Sequence, residues 1–183
     1  LTVSAGNHEI TAPVVLNSTA GIAVGTGLNL LISGNVSGVG GITKSGGGTL
    51  DLIGSNGGLL GNVNVLGGIL GFGSASSLGA GNLILNGGTL RYDAGNTADI
   101  SSKTITFGLN GGTIDTNGNN VTFASPLGNS GIGSFTKSGA GALTLAAANL
   151  YTGETFITGG SLRISSNGNV GDQTTASKLT LDG

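Results

Sequence analysis

Cysteine, methionine and tryptophan are absent from this 183-residue chain, and proline occurs only twice. Without cysteine there is no disulfide framework and no thiolate metal site. Scarce proline and the lack of a Gly-X-Y period exclude collagen and proline-rich linkers. Charge is scarce as well: 8 % of residues are charged, against about 25 % in an average soluble domain. Six basic and eight acidic side chains leave a net charge of -2, no counter-charge for a phosphate backbone, so nucleic acid is not an expected partner. Glycine and asparagine interrupt every apolar stretch long before the ~20 residues of a spanning helix, so this segment is not expected to insert into a membrane. The chain opens at Leu1 with neither an initiator methionine nor a signal peptide, which reads as a mature or excised piece.

What is abundant is glycine, 39 residues, about three times average usage. Hydrophobic residues still reach 37 %, and ample Val, Ile and Leu with little charge argues for burial rather than disorder. A repeat explains both. The unit apolar-x-Gly-Gly-x-apolar occurs at Val65 to Leu70, Leu85 to Leu90, Leu109 to Ile114 and Ile157 to Leu162. Its glycine pairs are spaced by 20, 24 and twice 24 residues, a period that means a solenoid or an array. Strand-like runs precede the glycines at 62–65, 82–85 and 103–107, and alternating runs such as Thr89-Leu-Arg-Tyr92 and Ser161-Leu-Arg-Ile164 follow them. Alternation with period two puts one side of each strand on a core and the other in water. Glycine suits a sharp corner that a Cβ would obstruct, and Asn86 and Asn110 beside it can ladder between coils. The sequence therefore predicts an all-β parallel solenoid over 1–183, with coils of 20–24 residues. Roughly eight coils would make a rod about 40 Å long.

A longer repeat overlies the short one. Gly40-Gly-Ile-Thr-Lys-Ser-Gly-Gly-Gly-Thr-Leu-Asp-Leu52 aligns with Gly133-Ser-Phe-Thr-Lys-Ser-Gly-Ala-Gly-Ala-Leu-Thr-Leu145, 93 residues on, with Thr-Lys-Ser-Gly identical in both. Taken with Asn149-Leu-Tyr-Thr-Gly153 and Ile157-Thr-Gly-Gly-Ser-Leu-Arg-Ile164, the second copy resembles the autotransporter-associated β-strand repeat of Gram-negative passenger domains. The clearest copies are 133–164 and, in degraded form, 38–72, where Asn56-Gly-Gly-Leu-Leu-Gly61 replaces the Tyr-Thr-Gly turn. The resemblance implies a right-handed parallel β-helix in a longer passenger, exported through an outer-membrane translocator barrel to the cell surface. It further implies a structural role in secretion, display or adhesion, with a surface ligand or host-cell contact as partner.

The inventory of chemistry is thin. His8 is the single histidine, so no second imidazole can complete a metal set, and a surface role is expected. Gly168-Asn-Val-Gly-Asp172 approaches a calcium nonapeptide only once, so Asp172 is read as a solvated turn. No Gly-x-Ser-x-Gly elbow marks a nucleophile, and the glycine-rich stretches lack the Lys-Ser/Thr of a phosphate loop. Asp51, Asp93, Asp99, Asp115, Asp172 and Asp182 are dispersed along the chain. Arg91 and Arg163 occupy equivalent places in the repeat, and Arg91 is expected to pair with Asp115 on the next coil at a gain of about 0 to 1 kcal/mol. Tyr92, Tyr151 and the five phenylalanines are too few for a sugar platform; Phe72 and Tyr92 share one register and Phe107 and Phe123 fall in strand-like runs, which suggests internal stacking. No catalytic, cofactor-binding or metal-ligating residue is nominated. Two alternatives to the scaffold stay open. A polysaccharide lyase or hydrolase would need two carboxylates within about 10 Å in one groove, and a self-assembling fibre would associate end to end through strand edges at Leu1-Thr-Val3 and Leu179-Thr-Leu181.

Overall fold

The computed structural model describes residues 1–128, 131–171 and 179–181. The leucines of the alternating runs stack in columns. Leu30, Leu50, Leu70, Leu90 and Ile114 are successive register partners in a parallel sheet, each buried to 1 % exposure or less. Two residues further along each strand, Ile32, Leu52, Phe72 and Tyr92 form a second buried column. Partners in the first column are 20 residues apart, then 24, as the spacing of the glycine pairs predicts. About eight coils stack in this way.

Three faces make up the coil. Among the described residues, the longest sheet has nine parallel strands, from His8–Ile10 to Leu179–Leu181. A second sheet has six, from Thr2–Val3 to Ile105–Phe107, and its inward columns include Ile42, Val63, Leu83 and Ile105. The third face carries only a two-stranded sheet, Val14–Val15 with Val36–Ser37, and later a three-stranded one, Val121–Phe123, Ala142–Leu145 and Ser161–Ile164. All strand pairings among the described residues are parallel, so each coil advances the chain by one strand spacing of about 4.8 Å.

The corner glycines do what the repeat requires. In each of the four Gly-Gly pairs one residue has positive φ: Gly68 (+63°), Gly87 (+99°), Gly111 (+71°) and Gly160 (+64°). That left-handed region is open to glycine at little cost. In the third unit the inward residue before the corner is Phe107, not Leu109, which is 80 % exposed. The corner there spans 108–111, four residues against three in the other units, because Gly108 and Leu109 join it and Gly112 passes into the following strand.

Where a coil lacks a strand on one of its faces, buried asparagines supply the missing rungs, Asn56 on the third face and Asn149 beyond the end of the six-stranded sheet. Asn56 Oδ1 accepts from Val36 N at 2.6 Å on the coil below, and its Nδ2 donates to Ser77 O at 2.8 Å on the coil above. Asn149 accepts from Leu127 N at 2.6 Å and donates to Asn169 O in the same manner. An amide with one acceptor and two donors satisfies backbone groups on both sides, which an apolar residue there would leave unpaired. The expected ladder at the corner is present as well, with Asn110 N donating to Asn86 Oδ1 at 2.9 Å.

Aromatic side chains fill the wider parts of the core. Phe72 and Tyr92 meet edge to face with ring centroids 4.5 Å apart. Phe107, Phe135 and Tyr151 form a triangle with centroid separations of 5.3 to 5.7 Å, and Phe123 is fully buried nearby. Internal stacking is thus the role of these rings. The two tyrosine hydroxyls are paired, to Ala98 O at 3.1 Å and to Thr155 Oγ1 at 2.7 Å.

Candidate functional site

The repeated Thr-Lys-Ser-Gly places its lysine inside the rod. Lys44 lies in register between Ile22 and Val65, and Lys137 follows Ile114 in the long sheet. Both are fully buried. Each stem takes the place of an aliphatic side chain, and each ammonium reaches the corner to meet three backbone carbonyls. Lys44 Nζ donates to Ser45 O, Gly46 O and Gly67 O at 2.9, 2.9 and 3.1 Å. Lys137 Nζ repeats the pattern with Ser138 O, Gly139 O and Gly159 O at 2.6, 2.8 and 3.0 Å. The third carbonyl of each set belongs to the next coil, so the cation clamps two coils together. Lys103 does likewise, donating to Gly79 O at 2.8 Å and to Gly81 O.

Among the described residues no carboxylate forms an ion pair with these ammonium groups, and burial has its cost. Desolvation lowers Lys44 to about 8. It lowers Lys137 too, with Asp115 pulling the other way, and it lowers Lys103. The alternation Ile42-x-Lys44 did point the lysine inward, but its charge argued for the surface. The identical tetrapeptide in two copies was the available signal.

On the outer side of the long sheet the charged residues arrange themselves differently from the sequence expectation. Arg91 and Asp115 are register neighbours, yet Arg91 Nη2 pairs with Asp51 Oδ1 at 3.2 Å, two coils in the opposite direction. Gly71 is the intervening residue. Having no side chain, it lets the guanidinium cross it. A Cβ on Gly71 would collide with Asp51 Oδ1 and lie 3.3 Å from Asp93 Oδ1, so two carboxylates that look dispersed in sequence converge over this glycine. Burial and the Asp51 charge raise Asp93, against Arg91. The converged pair has no free base at Asp51, since Asn29 Nδ2 holds its second oxygen at 2.8 Å. Arg163 is not equivalent to Arg91 in space: its strand belongs to the third face, opposite Thr144.

Two adjacent hollows lie at the edge where the third face turns into the six-stranded sheet. One, of about 380 Å³, is lined by residues including Asn82, Asp99, Ser102, Lys103 and Thr104. The other, of about 470 Å³, shares Ser102 to Thr104 and adds Ser125, Pro126 and Leu150. They flank a ridge made by the strandless excursion from Asp93 to Thr104. Their one carboxylate is Asp99. Burial pushes Asp99 up, but hydrogen bonds from Ser101 and from the backbone N–H groups of Ser101 and Ala124 outweigh this and hold it below the usual carboxylate range. Thus the two carboxylates within 10 Å exist, at Asp51 and Asp93, but the hollows hold neither.

His8 is exposed and its Nε2 contacts Ala5 O at 2.9 Å. Asp172 and Asp182 lie outside the described residues. Among the described residues no group of three or more His, Cys, Asp or Glu is placed to hold a metal, and no helix is long and apolar enough to cross a membrane.

Three comparisons with known proteins bear on this arrangement. The family model described as passenger-associated-transport-repeat matches residues 135–164. The adhesin BmaC autotransporter of Brucella suis biovar 1 (strain 1330) is 36 % identical over 146 residues, 73 % of this chain and 4 % of that protein's length. No solved structure matches. The match at 135–164 holds the strand of Lys137, the following corner and the strands that complete the next coil, so the chain is a parallel β-solenoid carrying the passenger repeat of autotransporters.

Proposed function

We propose that these 183 residues are one segment of a longer autotransporter passenger, serving as a non-catalytic extracellular scaffold that supports secretion, display or adhesion. The observation that carries this reading is where the polar chemistry is spent. Three lysines and a series of buried asparagines bind one coil to the next, so side chains that enzymes turn toward substrate here hold the rod together. A solenoid stabilised by neighbour-to-neighbour contacts can grow coil by coil as it emerges, without waiting for distant parts of the chain. The partner in export would be an outer-membrane barrel, and the location a Gram-negative cell surface.

The test is made in the whole surface protein. Lys137→Met and Gly141→Ala should reduce the protease-resistant passenger displayed on cells, whereas Asp51→Asn with Asp93→Asn should leave display unchanged. Release of new reducing or unsaturated ends from polysaccharide by the chain, abolished by the double aspartate change, would overturn the scaffold reading in favour of a hydrolase or lyase.

A further inference from the structure

We propose that the paired hollows around the Ser102 to Thr104 ridge bind a neutral oligosaccharide lying along the rod axis. The ridge exists because the chain leaves the regular coil between Tyr92 and Ile105, the ends of two successive strands. The hollows on its two sides, about 380 and 470 Å³, fall in the size range of small-ligand sites. Their residues come from successive coils, Asn82, then Ser102 to Thr104, then Ser125 and Pro126, then Leu150. With coils about 4.8 Å apart, a ligand touching all of them is elongated.

The lining selects the class of ligand. Asn82, Ser102 and Thr104 are exposed, and among the described residues their side chains make no hydrogen bond. The Lys103 ammonium has three donors and uses two, on Gly79 O and Gly81 O. The Asp99 carboxylate accepts the backbone N–H groups of Ser101 at 2.8 Å and Ala124 at 3.0 Å and a bond from the Ser101 side chain, and of its roughly four lone-pair sites one is left for a ligand. Donors and acceptors of every kind thus converge on one strip, which suits the vicinal hydroxyls of a sugar. Leu150, 51 % exposed, and Pro126 offer an apolar patch for the C–H face of a ring. One carboxylate and one ammonium cancel, which favours a neutral ligand over a polyanion.

A peptide is the less suitable occupant. Adding a strand needs unpaired backbone, but Lys103 N donates to Ile100 O and Thr104 O accepts from Leu83 N. Nor is there a deep apolar pocket to anchor a side chain. The buried aromatic rings leave no stacking platform at the ridge, so affinity should be millimolar and gain from multiple copies on a surface.

The test is two-dimensional NMR of the isotope-labelled 183-residue chain titrated with maltotriose, cellotriose, chitotriose and lacto-N-tetraose, with trigalacturonate and a Gly-Ser hexapeptide as controls. At least one neutral sugar should shift amides within 79–82, 99–104 and 125–128, saturating at millimolar concentration, with the controls several-fold weaker. Ser102→Ala with Thr104→Ala breaks no internal hydrogen bond, so the spectrum should stay dispersed while the affinity falls at least several-fold. No shifts with any neutral sugar at tens of millimolar, shifts elsewhere on the rod, or equal response in the double variant would overturn the proposal. Stronger binding of trigalacturonate or of the peptide would also overturn it.

Discussion

The two Thr-Lys-Ser-Gly copies build the same device on different faces. In the first, the lysine strand Ile42–Ser45 belongs to the six-stranded sheet and the chain turns into the long sheet. In the second, Phe135–Ser138 belongs to the long sheet and the chain turns into the third face. The agreement extends beyond the tetrapeptide. Asn56 and Asn149, also 93 residues apart, make matching rungs, and the 3-10 turns Ala75–Leu78 and Asn167–Val170 follow at matching places. Within the long sheet Leu50 shares a column with Lys137, whereas the motif aligns Leu50 with Leu143. The offset is one strand and one corner. The repeat is therefore a unit of strand, corner and strand, indifferent to the face on which it starts, because a three-sided coil offers similar corners.

The largest effects should come from the glycines that close each lysine corner. A Cβ on Gly48 would strike Gly25 O and Leu28 O, and one on Gly141, at φ +88°, would strike Asn119 O. Because the obstacle is backbone, Gly48→Ala and Gly141→Ala should each cost about 3 kcal/mol or more in chemical denaturation followed by circular dichroism. Gly47→Ala should cost under about 1 kcal/mol, since its obstacle is the Thr26 side chain and Ala140 already stands at the matching place. A large loss in one copy with none in the other would break their equivalence.

Next come the lysines. Lys44→Met and Lys137→Met keep the apolar stem but orphan three carbonyls each, and both should lose about 2 to 3 kcal/mol. The pH dependence sharpens the point. The Lys44 amine has a folded-state value near 8, below its ordinary 10.5, so between these values the unfolded chain holds a proton that the folded chain does not. Stability must rise with pH across that window, by on the order of 3 kcal/mol, and thermal melts should show it. Lys44→Met should remove the Lys44 share of the rise and leave that of Lys103 and Lys137. The neutral amine still donates two hydrogen bonds, so losing the proton does not undo the clamp.

The smallest effect concerns the outer ion pair. Arg91→Ala should cost about 0.5 kcal/mol, as partly exposed pairs do. Gly71→Ala displaces Asp51 and removes the same bridge, so the double variant should cost less than the sum of the two.

Much of this was legible in the residues. Inward columns follow from period-two alternation, and the corners follow from glycine pairs at a solenoid period. Other features were hidden for physical reasons. Alternation looks the same on every face, so nothing local assigns Phe135–Ser138 to the long sheet. Lys44 and Lys137 obey the inward pattern, but a charge is expected outside unless its acceptors are known, and one carbonyl of each set comes from a glycine on the next coil. Arg91 finds Asp51 rather than Asp115 because of a side chain that is missing at Gly71. Asn56 and Asn149 stand in non-repetitive stretches, where one amide looks like any turn residue. The hollows by Asp99 and Lys103 arise from an excursion that has no counterpart in the motif.

Disulfide trapping tests the change of face most directly. Thr113 and Thr136 are register partners pointing outward from the long sheet, at a parallel spacing of about 4.8 Å that a disulfide can bridge. If the second copy kept the face of the first, Thr136 would instead follow Thr106. Mild oxidation should close the Thr113→Cys/Thr136→Cys pair readily and leave Thr106→Cys/Thr136→Cys reduced; the reverse outcome would contradict the account.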